Sequence, residues 1–207
     1  SAPVHGAKAD LASAVPPAVL SLLGLHLTSN VSIIVIATVL LHSSSQHPKQ
    51  LLGSRPIIIT LISCLADSRP LLPTKAVVTG DTGHAESVRI VYDPERVSYE
   101  DLLRVHFETH DPTTLNRQGA DIGTQYRSAI YTTSEAQAET AREMIAVYEK
   151  SLAQSGHASQ ITTELAPLDK VYLAEEYHQQ YLAKNPNGYC GIGGTGVSCP
   201  IGLGVST

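Results

Sequence analysis

Near residue 79 the chain changes character. Residues 1–79 carry seven charged side chains, two acidic and five basic, and no Phe, Tyr or Trp. Residues 80–207 carry the other 26 charges and all ten aromatic residues. Aromatic side chains dominate core energetics, and one domain seldom changes composition so abruptly. The break therefore reads as two regions of separate origin or role: an atypical, apolar and poorly ordered segment over 1–78, and a folded domain over 79–207. The 207 residues suffice for one domain with a substantial core. A net charge of −5 offers no basic surface to nucleic acid.

Residues 11–48 contain no Asp, Glu, Lys or Arg. Ala18–Leu41 is just long enough to cross a bilayer. Gly24, His26, Thr28, Ser29 and Asn30 interrupt its middle, and it lacks a clear positive flank, so a buried or poorly ordered segment is the preferred reading. Ile57–Ile62 predicts a short buried strand among prolines. Cys64, just after it, reads as a small buried hydrophobe.

Beyond residue 79 the pattern is regular. Val88, Ile90 and Tyr92 alternate with Arg89 and Val91, which predicts a strand preceded by Gly83-His84-Ala85-Glu86. Ser98 with Asp101 opens a helix bearing Leu102, Leu103, His106 and Phe107, and Asp111-Pro112 stops it. Asn116–Gln125 is too polar and glycine-rich for core. Tyr126–Tyr131 predicts a second strand. Ser134 with Gln137 caps a second helix that buries Ala138, Ala141, Ile145, Tyr148 and Leu152, and Gly156 closes it. Ile161–Leu165 predicts a third strand and Ala174–Lys184 a short helix. From Gly188 the chain is glycine-rich coil. This order of elements makes the fold class α+β.

Several motifs compete for function. Gly191–Gly196 spells G-x-G-x-x-G, but no helix and no acidic residue follow it, so a dinucleotide site is rejected. His106 and His110 stand four apart on one helix; without a further ligand they read as structural rather than zinc-binding, with His110 placed where a cation favours the helix dipole. A metal hydrolase using them with Asp111 is a distant alternative. Glu86 at its glycine turn reads as solvated unless it faces a pocket, where burial would keep it protonated. Asp121 and Tyr126 add a second carboxylate and a phenol, a set able to hold a polar oxygen. Cys190 and Cys199, close together in the tail, suggest redox chemistry more than a structural disulfide.

Taken in order, Thr82-Gly83-His84-Ala85-Glu86, His110-Asp111-Pro112-Thr113, Arg117-Gln118-Gly119, Asp121-x-Gly123-Thr124-Gln125-Tyr126-Arg127-Ser128-Ala129-Ile130-Tyr131, Ile161-Thr162-Thr163-Glu164, Tyr177-His178-Gln179-Gln180-Tyr181-Leu182 and Lys184-Asn185-Pro186-Asn187-Gly188-Tyr189-Cys190-Gly191 resemble peptide-methionine (S)-S-oxide reductases. The resemblance runs from about residue 79 to 200. It implies a ferredoxin-like two-layer α+β sandwich with a long glycine-rich C-terminal coil. It implies reduction of methionine S-sulfoxide, free or in proteins, as repair of oxidative damage. In that chemistry a cysteine thiolate attacks the sulfoxide sulfur while a carboxylic acid and tyrosine hydroxyls hold and protonate the oxygen. Methionine leaves, and the enzyme's sulfenic acid is resolved to a disulfide that thioredoxin or another dithiol reduces. Carried over, Glu86 matches the acid, Tyr126 a hydroxyl donor, Asp121 the supporting carboxylate, and Cys190 and Cys199 the resolving and recycling thiols. No cofactor is bound in the family, and a monomer is typical. The cytosol is the default compartment, since the N-terminal region is poor in Arg and lacks transit-peptide character, with mitochondria the alternative by resemblance.

The sequence departs from that pattern upstream. The family's nucleophile lies in Gly-Cys-Phe-Trp, which would fall near Leu41–Gln46; that stretch reads Leu-His-Ser-Ser-Ser-Gln, and the chain has no Trp. A second tyrosine, due near Thr74, is absent too. Serine is a weaker nucleophile and cannot pass through sulfenic acid to a disulfide, so the chain as written is expected to lack turnover. A misread frame or retained intron before residue 79 would produce such a sequence. The alternatives are a module that binds oxidised methionine without reducing it, and an inert truncated family member.

Overall fold

The computed structural model describes residues 77, 79–179, 184–185 and 194–197, with Lys170 by its backbone, and the backbone of 32–37 and 57–65. Its centre is strand β3 (Ala85–Tyr92), flanked by β1 (Ser32–Ala37) and β2 (Ile57–Leu65). Both pair antiparallel with it, from Ser32↔Tyr92 to Ala37↔Ser87 and from Ile57↔Tyr92 to Cys64↔Ala85. β6 (Ala129–Thr132) and β7 (Glu164–Pro167) extend one side, β8 (Lys170–Leu173) the other, giving the order β7-β6-β1-β3-β2-β8. Only the β6–β7 pair is parallel. Strands from before and after residue 79 thus share one sheet.

The β2 strand is longer than the expected Ile57–Ile62. Pro56 precedes it and Pro70 follows it, so all nine positions keep a backbone N–H for the ladder. Within the apolar stretch Ala18–Leu41, the described part is β1; the remainder lies outside the described residues. Among the described residues no helix is long and apolar enough to cross a membrane. β3 begins earlier than the alternation indicated, taking in Ala85 and Glu86, because β2 supplies partners for both.

Helix α1 (Tyr99–Thr109) starts as the sequence requires. Ser98 Oγ accepts from the Asp101 N–H at 3.0 Å, and the Asp101 carboxylate accepts from the Ser98 N–H at 3.4 Å. Leu102, Leu103, His106 and Phe107 are buried. Helix α2 (Glu135–Gln154) is capped by Ser134, while the Gln137 side chain reaches back to the Thr133 N–H at 2.9 Å. It buries Ala138, Ala141, Met144, Tyr148 and Leu152; Met144 takes the innermost place at the turn where Ile145 was expected, and Ile145 packs at the core's edge. Gly156, at φ +85°, closes the helix with the His157 N–H donating to Leu152 O. The Phe107 and Tyr148 rings stack at 5.3 Å, joining the helices over Val88, Ile90, Tyr92 and Ile130.

Three expectations change. The second strand begins at Ala129, since Tyr126 belongs to a 3-10 turn (Thr124–Tyr126). The third runs Glu164–Pro167, where it meets β6, not Ile161–Leu165. Ala174–Lys184 shows only turn in its described part: the His178 N–H donates to Glu175 O and the Gln179 N–H to Glu176 O. Residues 180–183 lie outside the described residues.

Phe107→Ala is expected to cost about 3–5 kcal/mol, as for a fully buried aromatic. Ser98→Ala is expected to cost about 1 kcal/mol through the lost cap. Urea denaturation of both variants, read as midpoint at constant slope, checks that order.

Candidate functional site

Three candidate residues, Glu86, Asp121 and Tyr126, lie near the N-terminal end of β3. Glu86 shares its face of the strand with Val88 and Ile90, which face the helices; Ala85 lies on the opposite face. Beside it stands a short hairpin of β4 (Arg117–Gln118) and β5 (Asp121–Ile122), with Gln118 opposite Asp121. The polar stretch 116–125 is therefore partly structured, and Gln118 and Gln125 within it are buried despite their polarity. The hairpin leads through Gly123 into the 3-10 turn, where the Tyr126 N–H donates to Gly123 O and the Arg127 N–H to Thr124 O. Gly123 has φ +152° and ψ +158°, a region open essentially to glycine alone. A Cβ there would stand 2.3 Å from Gln125 Oε1.

Charge effects link the three groups. Burial pushes the Glu86 carboxyl up to about 7, and the negative charge of Asp121 adds to that rise. The Tyr126 phenol is also raised, first by burial and then by Glu86; a hydrogen bond with Gln125 opposes this, and Asp121 adds the smallest rise. Glu86, Asp121 and Tyr126 thus form one cluster, with Glu86 partly protonated at neutral pH. A protonated carboxyl and a phenol can both donate to a ligand oxygen; an ionised Glu86 would repel it.

Arg127 ties this end of the sheet together. Its Nε donates to Glu164 Oε2 at 2.5 Å, Nη1 to Thr124 O at 2.8 Å and His84 O at 3.2 Å, and Nη2 to Tyr131 Oη at 2.9 Å and Gly83 O at 3.1 Å. Thr124 Oγ1 donates to Gly80 O at 2.5 Å. Sequence reasoning did not single out Arg127 or Gln125, although both sit in the Gly123–Arg127 run. Five guanidinium donors are the available signal for an arginine among glycine turns.

The histidine pair lies in the core. His106 and His110 are fully buried with ring centroids 4.2 Å apart. His110 Nε2 lies 2.8 Å from Ser128 Oγ, which lies 2.8 Å from Thr163 Oγ1, and Nδ1 meets the His106 carbonyl. His110 is not the cation expected at a helix end: burial lowers it to about 4, outweighing the nearby backbone and Asp111. His106 is also lowered, by burial first and then by His110. Among the described residues no group of three or more His, Cys, Asp or Glu could hold a metal.

Cys190 and Cys199 lie outside the described residues, as do Leu41–Gln46 and Thr74. Cys64 holds the register position of Ala85, and Ser63 that of Glu86.

Residues 58–196 match the family model PMSR, peptide methionine sulfoxide reductase. The match begins upstream of residue 79 and takes in β2. The chain is 56% identical over 149 residues to "Peptide methionine sulfoxide reductase MsrA 1" of Caulobacter vibrioides, covering 72% of this chain and 68% of the relative. It is 57% identical over 129 residues to the human "Mitochondrial peptide methionine sulfoxide reductase", covering 62% and 54%. The chain therefore spans between about half and two thirds of these relatives' lengths. The solved methionine sulfoxide reductase A of Corynebacterium diphtheriae superposes with a TM-score of 0.70 at 37% identity, covering 88% of this chain and 89% of that one.

Glu86 binds its proton more tightly folded, at about 7, than at its ordinary 4.5. Its contribution to stability is full below 4.5 and is lost as pH rises through 7. His110 runs oppositely: its contribution is present above 6.5 and lost as pH falls through 4. Glu86→Gln removes the first trend only. Its melting temperature relative to wild type is expected to rise between pH 5 and pH 8; a constant difference would mean that Glu86 titrates as an ordinary carboxylate.

Proposed function

Because the chain belongs to the peptide methionine sulfoxide reductase family, an oxidoreductase family, we propose that the Glu86–Asp121–Tyr126 cluster receives the oxygen of methionine S-sulfoxide, free or within a polypeptide. The observation that carries this reading is a buried carboxyl held protonated near neutrality beside a phenol. A sulfoxide oxygen accepts hydrogen bonds and donates none. A site that offers it two donors in a desolvated setting fits it better than water does. Burial first, and the charge of Asp121 second, favour the proton on Glu86. The reading carries with it the ferredoxin-like two-layer sandwich, the glycine-rich tail, a monomeric state, and a thioredoxin-type dithiol as the reductant that would meet Cys190 and Cys199.

In this chain the same reading ends at recognition. The sequence has no Gly-Cys-Phe-Trp upstream of Glu86. Its one upstream cysteine, Cys64, holds the register position of Ala85 and not that of Glu86. On this reading the cluster receives the sulfoxide oxygen, and the sequence supplies no Gly-Cys-Phe-Trp thiol to attack the sulfur.

Titration calorimetry with methionine S-sulfoxide tests the first claim. Binding is expected below pH 7 and should weaken as Glu86 ionises above it. Glu86→Gln, which keeps a donor N–H, should bind without that pH dependence. Glu86→Ala should raise Kd about ten- to a hundredfold, as for a lost desolvated hydrogen bond. Equal affinity for sulfoxide and thioether forms would sink the reading. An assay with thioredoxin, its reductase and NADPH tests the second claim: consumption of NADPH is expected to stay at background, and sustained turnover would refute it.

A further inference from the structure

We propose that Arg127 is the positioning residue of this site, holding the β3 entry that carries Glu86 and the 3-10 turn that carries Tyr126 at one fixed separation. The inference rests on the sulfoxide-site reading above for its purpose, and on geometry alone for its substance.

The guanidinium works from behind. Ile130 faces the helices with Val88 and Ile90, so the alternate residue Tyr131 belongs to the reverse face of the sheet. Glu164 pairs with Ala129, which shares that reverse face. Arg127 bonds both Tyr131 Oη and Glu164 Oε2, so its side chain is anchored on the face away from Glu86. Its remaining donors pass forward to backbone. Nη1 bridges His84 O, two residues before Glu86, and Thr124 O, two residues before Tyr126. Nη2 takes Gly83 O. One planar, half-buried group therefore spans the two segments that must face each other across the bound oxygen.

Only arginine meets this demand. The acceptors comprise a carboxylate, a phenol oxygen and three carbonyls, served by three nitrogens in a rigid fork. Lysine offers one nitrogen and cannot reach both segments while holding Glu164. The Thr124–Gly80 bond adds one more stitch but touches neither Gly83 nor His84. Without the guanidinium, Gly83 O and His84 O lose its N–H groups, Thr124 O keeps only the backbone N–H of residue 127, and the two segments part, admitting water to Glu86.

The readout is the titration midpoint of the Glu86 carboxyl, followed by carbon-13 NMR in the folded full chain and assigned with Glu86→Gln. Among the described residues, the groups that act on Glu86 or are acted on by it are Asp121 and Tyr126, and Arg127 is not among the charges that shift it, so movement on substitution reports geometry. In wild type the midpoint is expected near 7, and in Arg127→Ala and Arg127→Lys it should fall toward 4.5. Should Arg127→Ala fail to fold, Arg127→Lys carries the same readout. Arg104→Ala is the control. It breaks an ion pair of similar burial with Glu108 on α1, and the midpoint should stay put. A merely structural Arg127 would lower the melting temperature and leave the Glu86 midpoint near 7, which would overturn the proposal. So would an equal movement of the midpoint in Arg104→Ala. Sulfoxide binding by the wild type is scored separately: its absence would sink the proposed function, while the midpoint would still decide the role of Arg127.

Discussion

A carboxyl that keeps its proton near neutrality has to be kept from water, and the site depends on that dryness. Glu86 sits near the end of a central strand, where fraying would normally solvate it. Pairing on both sides prevents this: Ser63 lies across from Glu86 on β2, and Ala37 across from Ser87 on β1. The 3-10 turn packs against β3, and Asp121 of the hairpin lies near enough to act on Glu86. Gly123 permits the tight approach of Gln125 that a side chain would block. The aromatic-free part of the chain therefore matters to the chemistry, because its strands flank the one that bears the acid.

The same cause, burial, sets the histidines and the glutamate against each other. Desolvation disfavours whichever form is charged, so it strips the proton from His106 and His110 and fixes one on Glu86. Every tenfold change in proton affinity corresponds to about 1.4 kcal/mol between the protonated and deprotonated forms. The two ends of the core consequently favour opposite pH. The His110–Ser128–Thr163 chain offsets part of the cost on one side by supplying polar partners inside the core. On the other side Asp121 raises the cost, a pattern usual where a group is poised for chemistry rather than stability.

Much of the local structure was legible because it is locally encoded. Ser98 with Asp101, Ser134, Gly156 and the alternation through Tyr92 each carry their own signal. What the sequence hid was decided by distant partners. Glu86 read as a residue of a turn, and became a strand residue because Ser63 pairs with it. Tyr126 read as strand, yet its N–H goes to Gly123 O and the next to Thr124 O, which makes a 3-10 turn. Gln118 read as exposed by polarity, but its Oε1 accepts from the Asp111 N–H at 3.4 Å and the residue is buried. His110 read as a helix-end cation, and burial outweighed the dipole. Spacing alone could not place Glu86 against Asp121 and Tyr126; the family resemblance did. Arg127 escaped notice although it lies inside one of the family's motifs, because its work is done on backbone carbonyls, which no side-chain pattern reveals.

Holding a sulfoxide and reducing it are separable demands. The oxygen needs donors in a dry pocket; the sulfur needs an electron pair from a thiolate, and the resulting sulfenic acid needs a second thiol. Donors are supplied by β3 and the 3-10 turn, which the sequence retains in full. The attacking thiol belongs to a different stretch of chain, near Leu41–Gln46, where the sequence offers serines. A hydroxyl is not ionised at neutral pH, and its oxygen has no accessible higher oxidation state to match the sulfenic acid that sulfur forms, so nearness could not make a serine serve. The two halves of the family's chemistry thus lie on different elements, and losing one leaves the geometry of the other intact. On the proposed reading, a buried acid held by an arginine from behind the sheet would still discriminate an oxidised thioether from a reduced one, because discrimination draws only on the oxygen.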